Sequence, residues 1–152
     1  MPMLWKRILG LAIVLFAAGS LVYSFTTDPY GHLQPYKPPR DGVVVYYFLV
    51  GSKRCDTCKN IEAYTRAAAQ TAKAEAVVFA LVNADAEANA HFRDPAEFNL
   101  AGKSVVVARY ADGKLVKSVK CKKIWTWVHQ GQDVFVAGVH AALKSVAEGA
   151  EE

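Results

Sequence analysis

The sequence predicts an α/β domain in the order strand, helix, strand, short helix, hairpin, helix, preceded by an apolar N-terminal helix. Two apolar runs, Val43 to Val50 and Ala76 to Val82, bracket a stretch with helical periodicity, which reads as a β-α-β unit. Asp112-Gly113 then separates two short strand-like runs and signals a hairpin. Ile8 to Thr27 carries no charge over twenty residues. With 152 residues and 53% hydrophobic content, the rest of the chain suits one core.

As a helix, Ile8 to Thr27 would span about 30 Å, the thickness of a bilayer's hydrocarbon core. Lys6 and Arg7 precede it and no Lys or Arg follows until Lys37. That asymmetry predicts a single-pass protein of the bacterial inner membrane whose domain faces the periplasm. Met1 to Arg7, Ile8 to Phe16 and Ala17-Ala18-Gly19-Ser20 also resemble the three regions of a signal peptide, and cleavage would leave a periplasmic or secreted protein. The apolar run continues through Leu21-Val22-Tyr23 and Phe25, longer than a typical signal core, with Trp5 and Tyr23 placed as interfacial anchors, so the uncleaved anchor is favoured. Residues 1–27 are therefore read as signal anchor or signal peptide. Residues 28–42, with Pro29, Pro35, Pro38 and Pro39, form a semi-rigid spacer with no fixed fold of its own. Residues 43–147 make the domain and 148–152 an acidic tail.

Within the domain, Val43 to Val50 is apolar enough for a central strand covered on both faces. Cys58, Ile61, Thr65, Ala68 and Ala72 share one face of the following helix, with Lys59, Glu62, Arg66 and Lys73 turned outward. Ala76 to Val82 is the second buried strand. Asn83 to Asn89 begins a short helix that ends near Asp94-Pro95. Val105 to Tyr110 and Leu115 to Val119 flank the turn Ala111-Asp112-Gly113-Lys114. Phe135, Val139, Ala142 and Val146 stripe a closing helix, with Trp125 and Trp127 read as core packing and Ile124 and Trp125 as a cap on the sheet.

Cys55-Asp56-Thr57-Cys58 lies where the first strand gives way to the helix. A C-x-x-C pair so placed favours a redox dithiol over half of a zinc site. Unpaired N–H groups and the macrodipole stabilise negative charge in a helix's first turn, and a thiolate is the species that attacks disulfides. Lys53, Arg54 and Lys59 outnumber Asp56, so Cys55 is expected to titrate below the free-thiol value of about 8.5. Cys58, on the apolar side, is the resolving thiol. A purely structural disulfide is the weaker reading, because a four-residue ring removes little entropy from the unfolded chain. A structural zinc would need Cys121 and one of His91 or His129 besides, yet their spacing forms no second metal motif; no metal and no cofactor is expected.

Cys121 stands among Lys117, Lys120, Lys122 and Lys123. It reads as a small, partly buried residue, or alternatively as a third redox thiol activated by those lysines or paired with another subunit. The lysines mark a solvated strand end whose partner is anionic lipid or an acidic protein patch; an exported domain gives no reason to expect nucleic acid. His129 and His140 have no Ser or Asp constellation around them. The chain has no phosphate loop, nucleophile elbow or HExxH motif, so hydrolase and nucleotide-binding classes are unsupported.

Tyr46-Tyr47-Phe48, the stretch Arg54-Cys55-Asp56-Thr57-Cys58-Lys59-Asn60-Ile61-Glu62, Val82-Asn83, the hairpin and Ile124-Trp125 together resemble the thioredoxin fold. More closely, they resemble the nitrophenyl compound nitroreductase subunit family, over most of residues 43–147. The resemblance implies a thioredoxin-like three-layer sandwich and an accessory role in nitroaromatic reduction. Three positions depart from thioredoxins. Arg54 replaces the aromatic residue before the first cysteine, and Leu49 replaces the buried carboxylate six residues before it. Ser104 replaces the cis-proline that faces the disulfide; a non-proline cis bond costs about 2.5–4 kcal/mol, so Ser104 should be trans, leaving the gap facing Cys55 more open.

The expected function is a membrane-anchored, exported thiol–disulfide oxidoreductase. It would exchange electrons with a membrane or exported protein through Cys55 and Cys58, tuned by Lys53, Arg54, Asp56, Lys59 and Ser104. The alternative is a non-enzymatic accessory or metal-binding subunit of a reductase system.

Overall fold

Strand β1, Gly42–Leu49, takes an interior place in the sheet because both of its faces are apolar, and Val44 through Phe48 are fully buried. The computed structural model describes residues 35–51, 55–73 and 76–148, which fall in one unit spanning Leu33–Glu152. Helix α1, Asp56–Gln70, crosses from β1 to β2, Val77–Asn83, which pairs parallel with β1 from Val43↔Val77 to Leu49↔Asn83. Strand β3, Ser104–Ala111, runs antiparallel to β1, and β4, Lys114–Lys120, pairs antiparallel with β3. Asp112 and Gly113 join them at φ 52° and 76°, the paired positive values that a tight hairpin turn needs. The sheet order is β2-β1-β3-β4.

Side-chain alternation along β1 splits the core in two. Val45, Tyr47 and Leu49 meet Ile61 of α1 and the closing helix α3, Gln132–Ala147, through Phe135 and Val139. Val44, Tyr46 and Phe48 meet Phe92, Phe98 and Leu100 on the opposite face. The helices therefore cover one face, while a 3-10 helix, Glu87–Arg93, and the segment after it cover the other. The result is a mixed α/β sandwich.

Several elements differ from expectation. The second strand lies at the sheet's edge, not its buried interior, and Val78 is 48% exposed. The short helix begins at Glu87 instead of Asn83, because the Asn83 side chain accepts from Asp85 N–H at 3.0 Å and holds the chain in a local turn. A separate helix, α2, spans Ile124–Gln130 and is parted from α3 by Gly131 at φ 111°. Ile124 and Val128 of α2 are buried, but Trp125 is 44% exposed and is not core packing. Trp127 does pack inward, against Gly138, where an added Cβ would fall 2.6 Å from its ring.

The described end of the spacer lies against the domain. Tyr36 donates its N–H to Asn89 Oδ1 at 2.8 Å and stands edge-on to Tyr46, and the Arg40 carbonyl accepts the Gly113 N–H at 2.8 Å. The expected membrane segment and the last four residues of the acidic tail lie outside the described residues. Among the described residues no helix is long and apolar enough to cross a membrane.

Candidate functional site

Cys55 is the N-cap of α1, with extended dihedrals of φ −103° and ψ 166°. Its Sγ accepts the Cys58 N–H at 3.3 Å, and its carbonyl accepts the Lys59 N–H at 3.1 Å, opening the helix. The sulfur thus fills the place that a serine or aspartate oxygen usually takes. Cys55 and Cys58 lie at disulfide distance, with Cα atoms 5.0 Å apart. Cys55 is exposed and Cys58 has no solvent-accessible surface. This asymmetry follows from helical periodicity: Cys58 shares the buried face with Ile61, Thr65 and Ala68.

Gly51, just past the end of β1, is tied to the β2 side. Gly51 N–H donates to the Asp85 carboxylate, which also takes Arg93 Nη1 at 2.8 Å. Lys53 and Arg54 lie outside the described residues. Asp56 and Lys59 pair with each other at 3.0 Å, so two of the charges counted around Cys55 offset one another on the surface.

Four strand termini lie at the dithiol end of the sheet: the ends of β1 and β2, the start of β3 and the end of β4. Ser104 opens β3 opposite Phe48, and its Oγ donates to Gly102 O at 2.9 Å. Its peptide bond is trans. Leu49 is 6% exposed and belongs to the apolar cluster with Ile61, Val105, Cys121 and Ile124. Among the described residues the buried polar side chains are Thr65 and Asn89, so no carboxylate occupies the core beside Cys58. Glu62, expected to point outward, has a side chain only 16% exposed; it pairs with Arg66 at 3.4 Å, and that guanidinium covers the Phe79 ring.

Cys121 is buried at the same end of the sheet, donating its N–H to Val105 O at 2.9 Å. Burial pushes its thiol up to about 11, so the neighbouring lysines do not activate it. Two of them are committed elsewhere: Lys117 donates to Ser145 O and Lys120 to Asn99 O, each at 2.7 Å. His140 Nε2 lies 3.0 Å from Ala68 O and fastens α3 to the end of α1, and the His91 ring lies tilted against Phe92. Among the described residues no three His, Cys, Asp or Glu side chains gather to hold a metal.

On the far face, Tyr46 and Tyr110 hydroxyls lie 3.0 Å apart with Tyr36 against Tyr46. Burial raises all three phenols above their usual range. This cluster closes the second core and stands apart from the dithiol.

In comparisons with known proteins, no family model and no curated protein matches the chain.

Proposed function

We propose that this chain is a membrane-anchored, exported thiol–disulfide oxidoreductase built on a thioredoxin-like domain. The observation that carries the reading is the pair itself: an exposed cysteine capping a helix, bonded to a buried one a turn later, beyond the end of an interior strand. The element order and the sheet order β2-β1-β3-β4 support the thioredoxin likeness.

In the reducing direction, the Cys55 thiolate attacks one sulfur of a partner disulfide. A mixed disulfide forms and the partner's other sulfur leaves as a thiolate. Cys58 then loses its proton and attacks Cys55 Sγ, releasing the second partner thiolate and closing the Cys55–Cys58 bond. Two electrons pass to the partner, and the two protons of the dithiol end on the partner's thiols. The reverse sequence oxidises a partner dithiol. The helix N-terminus stabilises the Cys55 thiolate whenever it is released, and the Cys58 N–H contact points at the same sulfur.

A second reading, an accessory subunit of a reductase system whose dithiol does not turn over, is favoured by Leu49 and Ser104. An apolar residue, Leu49, stands where a proton acceptor for Cys58 would be useful, and β3 opens on Ser104 instead of a proline. Turnover of a disulfide substrate by Cys55→Ser and Cys58→Ser separates the two. The oxidoreductase reading expects activity to vanish in both, with a mixed disulfide accumulating in Cys58→Ser. Undiminished activity of Cys55→Ser would leave the accessory reading.

A further inference from the structure

From Lys114 to Gly131 the chain holds five lysines and no carboxylate, so this run sets up a one-sign field. Lys114, Lys117 and Lys120 sit on β4, an edge strand, where charge protects the edge from pairing with other chains. Lys122 and Lys123 have no such role. They follow the strand, in the turn before α2, and both are exposed with no ion pair among the described residues. Exposed Trp125 comes two residues later, in the first turn of α2. Between β4 and α3 opens a cleft of about 380 Å3 walled in part by Lys120, Lys122, Lys123 and Trp127.

The topology puts this cationic corner at the dithiol end of the sheet. β1 runs toward Cys55, β3 runs back from Ser104, and β4 runs forward again to Lys120. β4 is two strand spacings from β1, about 10 Å, which three or four extended residues span. Exposed lysines beside an exposed tryptophan are complementary to an acidic segment with an apolar anchor.

Resting on the dithiol reading, we propose that Lys122, Lys123 and Trp125, with the adjoining cleft, form a docking surface for an acidic segment of the redox partner, a few residues from the partner's reactive cysteine.

The test mixes the reduced full chain with two peptides. Each carries one cysteine as a mixed disulfide with thionitrobenzoate, and either three glutamates or three lysines placed three to five residues away. The glutamate peptide should release thionitrobenzoate about tenfold faster at low ionic strength, with the advantage shrinking as salt is added. K122E/K123E should erase or invert that ratio, and Trp125→Ala should slow the glutamate peptide. Equal rates for the two peptides, or a ratio untouched by K122E/K123E, would overturn the proposal.

Reaction of the unmodified chain with hydroxyethyl disulfide reports separately on the dithiol. If that reaction fails, the dithiol reading falls, and anisotropy of labelled cysteine-to-serine peptides still decides docking: tighter binding of the glutamate peptide, lost in K122E/K123E, supports it, and equal binding overturns it. Protection of residues 120–127 from hydrogen exchange by phosphatidylglycerol vesicles, but not by the glutamate peptide, would assign the surface to lipid and likewise overturn the proposal.

Discussion

The Cys55 sulfur is a structural acceptor at a helix N-cap and, in the proposed mechanism, the nucleophile, and the two roles separate by substitution. Serine keeps an oxygen for the Cys58 N–H but cannot form the disulfide. Cys55→Ser should therefore retain the fold, with unfolding free energy of the reduced protein changed by about 0.5 kcal/mol or less, while disulfide turnover is lost; matched urea titrations and activity assays check both. Cys121 makes the contrasting case. Its proton is held up to about 11 in the folded chain against about 9 when exposed. Above pH 9 the unfolded chain binds fewer protons, so this contribution is full below pH 9 and is lost as pH rises toward 11, by on the order of 2–3 kcal/mol at most. Cys121→Ala should flatten the stability profile between pH 9 and 11, and an unchanged slope in urea midpoints would contradict the burial argument. The exposed and buried halves of the dithiol were legible from the 3.6-residue period alone. Glu62 was not, because it lies at the margin of the apolar stripe, where its pairing with Arg66, itself laid over Phe79, leaves it little exposed.

Elements hold the site through a few contacts that can be broken singly. Gly138 is where Trp127 of α2 rests on α3, and Gly138→Ala would push a methyl against the indole. The expected cost is about 1–3 kcal/mol, as for other overpacked cores, read as a drop in the thermal midpoint. Asp85 binds both Gly51 and Arg93 at the head of the loop that leads to Cys55. Asp85→Ala should leave the core intact yet raise hydrogen exchange at the Gly51 amide; an unchanged exchange rate there would remove Asp85 from the site's support. The strand runs and the Asp-Gly hairpin were legible because alternation and turn chemistry agree locally. Helix α2 was not. It is seven residues long, its lysine-rich approach masks periodicity, and the Gly131 break was the one signal that could have separated it from α3. Trp125 misled for the same reason: without the helix, its direction could not be assigned.

For the whole molecule, the sandwich brings the dithiol, Ser104 and the β4 lysine corner to one end, while the tyrosine cluster seals the other face of the sheet. Three phenols whose titration is pushed up by burial make that face alkali-sensitive. Unfolded tyrosines release protons near pH 10, so stability is present below that pH and declines above it. The order of elements along the chain followed from apolar runs, and Asp94-Pro95 marked the end of the short helix over the far face, whereas its start at Glu87 was not legible, since the Asn83 side chain holds a local turn there. The proposed membrane tether would hold the dithiol near membrane or exported partners, and the positive net charge of +4 suits acidic ones.

The central claim, that Cys55 and Cys58 cycle, is tested most directly by the reduction potential of the pair in the full chain, equilibrated in glutathione or dithiothreitol buffers and read by alkylation mass shift. A working dithiol gives a reversible two-electron transition between about −270 and −120 mV, and its position sets the direction of electron flow. No reversible transition, or a potential below about −300 mV where structural disulfides lie, would contradict it.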